Sequence, residues 1–447
     1  MNNLPPDHPD RRALADEVHA RPYEALETPG RATCVAVRIE PVDRERERAH
    51  LGALCERFGV PPPTPETIHF VAAQGTLRLK WERHSEFSSY MVFAPGQSAQ
   101  PFGEPASSLL PPGWLEGIPG QTLFAGHAAL VRGSDGPPEP ALLAGHFGGN
   151  VVIGGEIGDG AGVACTDFRI HADGYTRLLL LDRGLTARQA GRMLQRLFEI
   201  EAYRMMALLA LPIARCEGAR IVAIERSLAE LTEHIARSDG ADEALLGELT
   251  GLAAQVESSL VASQYRFGAS GAYYQLVRTR IAELRERRLP GLQPIDEFIT
   301  RRIGPAMATC ESISRRLRDL SERVARASSL LSTRVEIARE QQNQALLSSM
   351  DRRARLQLRL QQTVEGLSVA AVTYYVVGLV GYAVKGLKAG GLHVDADLSA
   401  GAAIPVVALL VAFAVHRARK RINAGAADRY TGSPAASNSP SNSTLER

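Results

Sequence analysis

Nineteen consecutive residues near the carboxy-terminal end, 366–384, carry no charged side chain. As a helix rising ~1.5 Å per residue they cover about 28 Å, close to the hydrocarbon thickness of a bilayer. A second uncharged run, 399–415, follows after a fourteen-residue connection and contains Pro405. The two runs predict a helical hairpin that crosses a membrane twice, at about 366–384 and 399–415; the alternative is a pair of buried core helices. The flanking charges separate these readings. Arg352, Arg353, Arg355 and Arg359 precede the first run, and Arg417, Arg419, Lys420 and Arg421 follow the second, whereas the connection holds only Lys385 and Lys388. Basic residues resist translocation, so both flanks belong on the cytoplasmic side, where these eight side chains would meet anionic headgroups. The expected topology is therefore multi-pass, with both termini inside and 385–398 outside.

The preceding residues have the composition of a soluble chain, and 447 residues leave room for two to four domains. The first twelve residues have no apolar stretch of signal-peptide type, so the amino-terminal part is expected to remain cytoplasmic. The five cysteines are scattered, odd in number and without a C-x-x-C pair, which suits reduced thiols. All but four of the 51 basic residues are Arg, yet 49 acidic residues nearly balance them. No nucleic-acid module is visible, so no nucleic-acid partner is expected.

Residues 1–184 read as an α+β domain with a largely antiparallel sheet. A short helix is expected over 8–21, and Asp43 to Phe58 has helical spacing through Leu51, Leu54 and Phe58, stopped by Pro61-Pro62-Pro63. Strands are expected at 32–40, 67–74, 77–84, 87–94, 122–131, 162–171 and 175–181. The connections between 67 and 94 are too short for crossovers and predict antiparallel hairpins. At Thr186 the texture changes: Thr186-Ala-Arg-Gln189 has the form of a capping box. Residues 185–365 then read as long helices folded back on one another in an antiparallel, coiled-coil-like stalk. Its seams are Ile224, Leu228, Leu231 and Ile235; Leu245, Leu249, Leu252 and Val256; and Ile313, Leu317, Leu320, Val324, Ala327 and Leu331, slipping to Val335 and Ala338. Residues 366–421 form the membrane hairpin, and 422–447 are too polar to build a core and are expected to be disordered.

No nucleotide-binding or hydrolase motif is present, and Gly148-Gly149 and Gly154-Gly155 read as turns. Chemistry is concentrated in two polar rows. Period-two geometry puts Lys80, Glu82, His84 and Glu86 on one face of the strand near 77–87, with Leu79 and Trp81 opposite. The same rule aligns Asp167, Arg169, His171 and Asp173, with Phe168 and Ile170 opposite. On neighbouring strands, Glu82, His84, Glu86, Asp167, Arg169, His171 and Asp173 would share a surface able to bind a divalent cation, the candidate cofactor, or an anionic ligand. A solvated outer sheet face explains the same pattern. His8, His19 and Arg21 flank the first helix and could cap such a surface, although ordinary capping or turn roles explain them better.

Trp81-Glu-Arg-His-Ser-Glu-Phe87, Thr166-Asp-Phe-Arg-Ile-His-Ala-Asp-Gly174 and Leu356-Gln-Leu-Arg-Leu-Gln-Gln-Thr-Val-Glu-Gly-Leu-Ser368 carry a resemblance. With them the chain, from about His8 to Arg421, resembles the bacterial membrane-anchored proteins grouped as domain of unknown function 3422. The resemblance implies a bacterial origin and attachment to the inner membrane, and brings no catalytic residue. In layout alone, the chain is also similar to the CorA-type magnesium transporters, which carry Gly-Met-Asn at the outer end of the first span. Here that region reads Gly378-Leu-Val-Gly-Tyr-Ala-Val-Lys385.

Three functions remain on these grounds. The first is a membrane-anchored cytoplasmic scaffold or sensor, motivated by two spans without an ionisable residue. The others are a CorA-like divalent cation channel and a metal-dependent enzyme in the α+β domain. The lipid bilayer is the expected partner. Self-association is also expected, through the small-x-x-x-small pair Gly366 and Ala370.

Overall fold

The computed structural model describes residues 4–17, 22–96, 100–237, 242–389 and 401–417. The chain divides into two compact units, Met1–Ser332 and Thr333–Arg447. His19, Arg21, Arg419, Lys420, Arg421, most of the connection 385–398 and the tail 422–447 lie outside the described residues.

In the first unit, helix α1 (Arg11–Glu17) is followed by β1 (Gly30–Arg38), α2 (Arg44–Phe58), β2 (His69–Gln74), β3 (Leu77–Arg83), β4 (Phe87–Pro95), β5 (Gln121–Arg132), α3 (Pro140–His146), β6 (Ile153–Ile157), β7 (Gly162–Thr166) and β8 (Thr176–Asp182). The strands form one eight-stranded sheet in the order β2-β3-β4-β1-β5-β8-β7-β6. Strands β2, β3 and β4 pair as the antiparallel hairpins their short connections require. The sheet is mixed, because β5 and β8 run parallel.

Alternation sorts each strand between two layers. Leu79 and Trp81 of β3 and Tyr90 and Val92 of β4 pack with Leu51 and Leu54 of α2. Farther along the same face, Val163, Cys165 and Leu179 pack with Leu143 of α3 and Phe147. On the opposite face Cys34, Met91, Phe93, Leu130 and Leu180 meet α4 (Ala187–Leu208). The Thr186 capping box is formed, and α4 buries Leu194, Leu197 and Phe198. Burying one such side chain removes about 1.5–3 kcal/mol of exposure cost, so the two apolar faces fix which helix covers which side.

Helices α5 (Ala210–Arg237), α6 (Asp242–Leu284) and α7 (Ile295–Ala389) follow α4. Ile224, Leu228, Leu231, Leu245, Leu249, Leu252, Val256, Ile313, Leu317, Leu320, Val324 and Leu331 are buried in one cluster that also contains the sheet residues facing α4. These seam residues are continuous with the core of the sheet, whereas Ala338, where the last seam was expected to continue, is exposed. Arg316 of α7 reaches Glu225 of α5 at 2.7 Å.

In the second unit, α7 includes a stretch long and apolar enough to cross a membrane, none of it buried inside the protein. Helix α8 (Gly401–Arg417) is a shorter apolar helix. Val364, Glu365, Ser368, Val369 and Val372 line a cleft together with Val411, Ala414 and Val415, and Ile404 lines another with Tyr374, Gly378 and Tyr382.

Several expectations are corrected here. The strand expected over 162–171 stops at Thr166, where local polar groups capture backbone donors. Phe168 N–H donates to Thr166 Oγ1 at 3.2 Å and Arg169 N–H to Asp167 Oδ1 at 3.2 Å, and Phe168 takes a left-handed φ of 52°. Such side-chain bonds compete with a strand ladder. Gly154-Gly155, expected to be a turn, lie inside β6 instead: Gly154 N–H donates to Gln293 O at 2.8 Å, and Glu156 and Arg287 exchange backbone bonds, so the α6–α7 connection caps the sheet edge. A Cβ on Gly155 would lie 2.7 Å from Arg287 O, which makes glycine the fitting residue for this close approach.

Candidate functional site

The two polar rows occupy different places. Strands β3 and β7 stand second and seventh in the sheet, with four strands between them, so the rows are not neighbours and share no continuous sheet face.

The β3 row faces α4 and is covered by it. Lys80 is fully buried and its Nζ lies 3.0 Å from Glu82 Oε1, so the row is not a solvated face. The ammonium donates to Pro22 O at 2.8 Å and to Gln195 Oε1 at 2.9 Å. Gln195 Nε2 donates to Glu199 Oε1 at 2.8 Å, and Glu199 Oε2 accepts from Arg280 Nε of α6. Arg280 also donates to Glu283 at 3.0 Å. A chain of charges thus runs from β3 through α4 to α6. Burial holds the Glu199 carboxyl above its usual range and Glu82 adds to the rise, while Arg280 and Gln195 oppose it. Glu86 is bound in a bidentate pair by Arg266 at 2.5 and 2.9 Å. His84 stacks on Phe87 at 4.2 Å and meets Tyr203 edge-on at 6.0 Å.

The second row lies on the loop after β7. Asp167 is buried; its Oδ2 accepts from Asn150 Nδ2 at 2.8 Å and lies 2.9 Å from His171 Nε2. Arg169 and Asp173 are exposed. Asp173 Oδ1 accepts from Tyr175 N–H at 3.0 Å, closing the turn into β8. Phe168 stacks on Phe298 of α7 at 5.0 Å, with Arg204 on one side and Arg302 over Phe298. Arg204 also binds the buried Glu201, whose carboxyl is raised first by burial and further by Asp167. What the loop brings together is therefore an Asp–His pair with an amide, an arrangement that orients the imidazole. Among the described residues no three His, Cys, Asp or Glu side chains gather in a group that could hold a metal ion.

A family model described as "Protein of unknown function (DUF3422)" matches residues 6–422. The chain belongs to the DUF3422 family. Comparison with curated proteins and with solved structures finds no match.

In this DUF3422 chain, sequence reasoning passed over the partners of its own candidates. Asn150, Gln195, Glu199, Arg266 and Arg280 lie on other elements, and only packing reveals them. One signal was present: Gln195 and Glu199 are spaced by four and interrupt an apolar helix face between Leu194, Leu197 and Phe198. His127 was passed over as well. It is buried, 3.0 Å from Thr33 Oγ1, and stacked on Tyr175 at 3.8 Å. An open cleft of about 490 Å³ also lies where α6 ends and α7 begins, lined by Arg278, Arg285, Arg288, Glu286, Asp296 and Glu297. The Glu286 carboxylate occupies the start of α7, accepting from Ile295 and Asp296 N–H at 2.7 and 3.0 Å. Arg352, Arg353, Arg355, Arg359 and Arg417, beside the two uncharged runs, are all exposed, and Arg355 pairs with Asp351 at 2.5 Å.

Proposed function

We propose that this DUF3422 protein is anchored in the bacterial inner membrane by a two-span helical hairpin, about 366–384 and 399–415, with both termini cytoplasmic. Its amino-terminal part serves as a cytoplasmic interaction or sensing module rather than as a catalyst. The observation that carries the proposal lies in the second unit: Val364 to Val372 share a cleft with Val411 to Val415, and Ile404 one with Tyr374 to Tyr382, as antiparallel spans would. Leu367, Leu409, Leu410 and Phe413, which line neither cleft, are exposed, and lipid can cover them at low cost. Arg352, Arg353, Arg355, Arg359 and Arg417, with Arg419, Lys420 and Arg421, hold the flanks inside. Residues 185–365 act as the stalk.

Reporter fusions test the topology. A cytoplasm-active reporter after Arg421 is expected to work and a periplasm-active one to stay silent; the reverse overturns this topology, and release of the chain by an alkaline wash overturns the anchor.

The ligand-binding part of the proposal narrows to Asp167 and His171, because Glu82 and Glu86 are consumed by Lys80 and Arg266. A divalent cation would need ligands from its partner or from water. The channel alternative draws less support, since the outer end of the first span lacks Gly-Met-Asn. Cation flux in proteoliposomes would restore it.

A further inference from the structure

Glu201 of α4 is fully buried, and its carboxylate is held from one side only. Arg204, one turn on, donates through both Nε, at 3.0 Å, and Nη2 to the same oxygen, Oε2. Oε1 is shut off from solvent and has no hydrogen-bond partner among the described residues. Buried carboxylates normally fill both oxygens, and an unmet one makes the ionised form costly to enclose. The charges that bear on Glu201 are Arg204, on its own helix, and Asp167, on the β7–β8 loop with His171 beside it. Arg204 has a second contact. Its guanidinium lies 5.2 Å over the Phe168 ring, and Phe168, in the left-handed region at φ 52°, stacks on Phe298 in the first turn of α7 with the rings 3° from parallel. Arg302 of α7 lies over Phe298. An aromatic residue stays in that backbone region only where its surroundings hold it, and such residues gather at switch segments.

We propose that the Phe168–Phe298 stack is a proton-controlled latch between the β7–β8 loop and α7, with Glu201 as the group that binds the proton. While the latch is closed, Glu201 is kept from water, and its unmet oxygen favours the protonated carboxyl. Lifting the loop admits water to the carboxyl, which then ionises in its ordinary range. The direction follows from burial, which raises the Glu201 carboxyl above 4.5 in the closed form; Arg204 opposes the rise and Asp167 adds to it. The closed form therefore binds the proton more tightly than the open one. The latch is fully shut below the ordinary carboxylate range and loosens as the pH rises towards the raised value. Between these limits opening gains up to about tenfold per pH unit. All of these residues belong to the first unit, so the latch stands whether or not the chain is anchored.

Amide hydrogen exchange of the full chain, corrected at each pH for the rate of an unstructured peptide, tests the latch. The N–H groups of Phe168, Arg169, His171 and Gly174 bond within the loop, to Thr166 Oγ1, Asp167 Oδ1, Tyr175 O and His171 O, and report its opening. Their protection is expected to fall by up to about tenfold per pH unit between about pH 5 and about pH 8, while that of β5 does not fall. Glu201→Gln, which has the shape of the protonated side chain, is expected to keep the loop protected across this range. Phe298→Leu is expected to leave the loop open throughout, with no dependence on pH. Protection that does not change with pH in the unaltered chain overturns the proposal. So does a parallel fall in β5, which would make the change a global loss of stability. A slope that survives Glu201→Gln and disappears in His171→Gln gives the proton to the imidazole and overturns the role of Glu201. A slope retained in Phe298→Leu separates the proton from the stack, and overturns the latch even if Glu201→Gln fails to fold.

Discussion

Lys80 Nζ lies 3.0 Å from the Glu82 carboxylate, two residues along the same strand, and neither side chain reaches solvent. Two charges on one face of β3 are tolerable there because α4 and α6 supply Gln195, Glu199 and Arg280 to the same network. A buried pair stabilises little against an apolar replacement, but removing one member leaves the other uncompensated.

Lys80→Met is therefore expected to destabilise the protein by about 3–5 kcal/mol, because it leaves Glu82 without its cation. Lys80→Met combined with Glu82→Gln is expected to recover part of that loss. Denaturant unfolding of the three variants checks both; equal losses in the single and double variants would contradict the coupling.

The Glu86–Arg266 pair ties the β3–β4 turn to α6 through two parallel bonds, with both side chains about one-tenth exposed. Arg266→Ala is expected to cost about 3–5 kcal/mol by stranding Glu86. Arg266→Lys keeps the charge but not the fork, and is expected to lie between wild type and Ala. Thermal unfolding ranks them.

His127 sets an acid limit. Burial lowers its pKa from 6.5 to about 4, with Asp173 opposing and Arg177 assisting. The unfolded chain binds a proton that the folded chain refuses, so stability is intact above about pH 6.5 and falls as the pH drops towards 4. At ~1.4 kcal/mol per pH unit the full loss is about 3 kcal/mol. His127→Phe should flatten the stability profile between these limits, at whatever cost the lost Thr33 contact imposes at neutral pH.

Gly191 allows α4 to lie against the segment before β1. A Cβ there would fall 1.6 Å from Glu24 O, next to the bond from Leu26 N–H to Ala187 O at 3.0 Å. Gly191→Ala should raise helix propensity yet destabilise by about 1–3 kcal/mol, the range for overpacking. A stabilised variant would mean that the segment is free to move away.

Local patterns settled much of this protein. Period two along 77–94 places Leu79, Trp81, Tyr90 and Val92 on one face and Lys80 and Glu82 on the other, because the pleat leaves no choice. Spacings of three and four place Leu228, Leu249 and Leu320 in seams, and the Thr186 capping box starts α4. Each depends on residues within a few positions of one another. The sequence did not determine what lies above each face. Lys80 and Glu82 look like a wet surface until α4 covers them, and the residues that neutralise them stand more than a hundred positions away in the chain. Strand order was equally hidden, since the four strands between β3 and β7 separate two rows that alternation alone would allow to meet. The end of β7 was misjudged because Thr166 and Asp167 can satisfy backbone donors themselves, and their competition with the ladder is decided only once Asn150 and His171 hold Asp167 in place. Periodicity fixes the direction of a side chain along its own element; its neighbours, and hence its charge state and chemistry, come from tertiary packing.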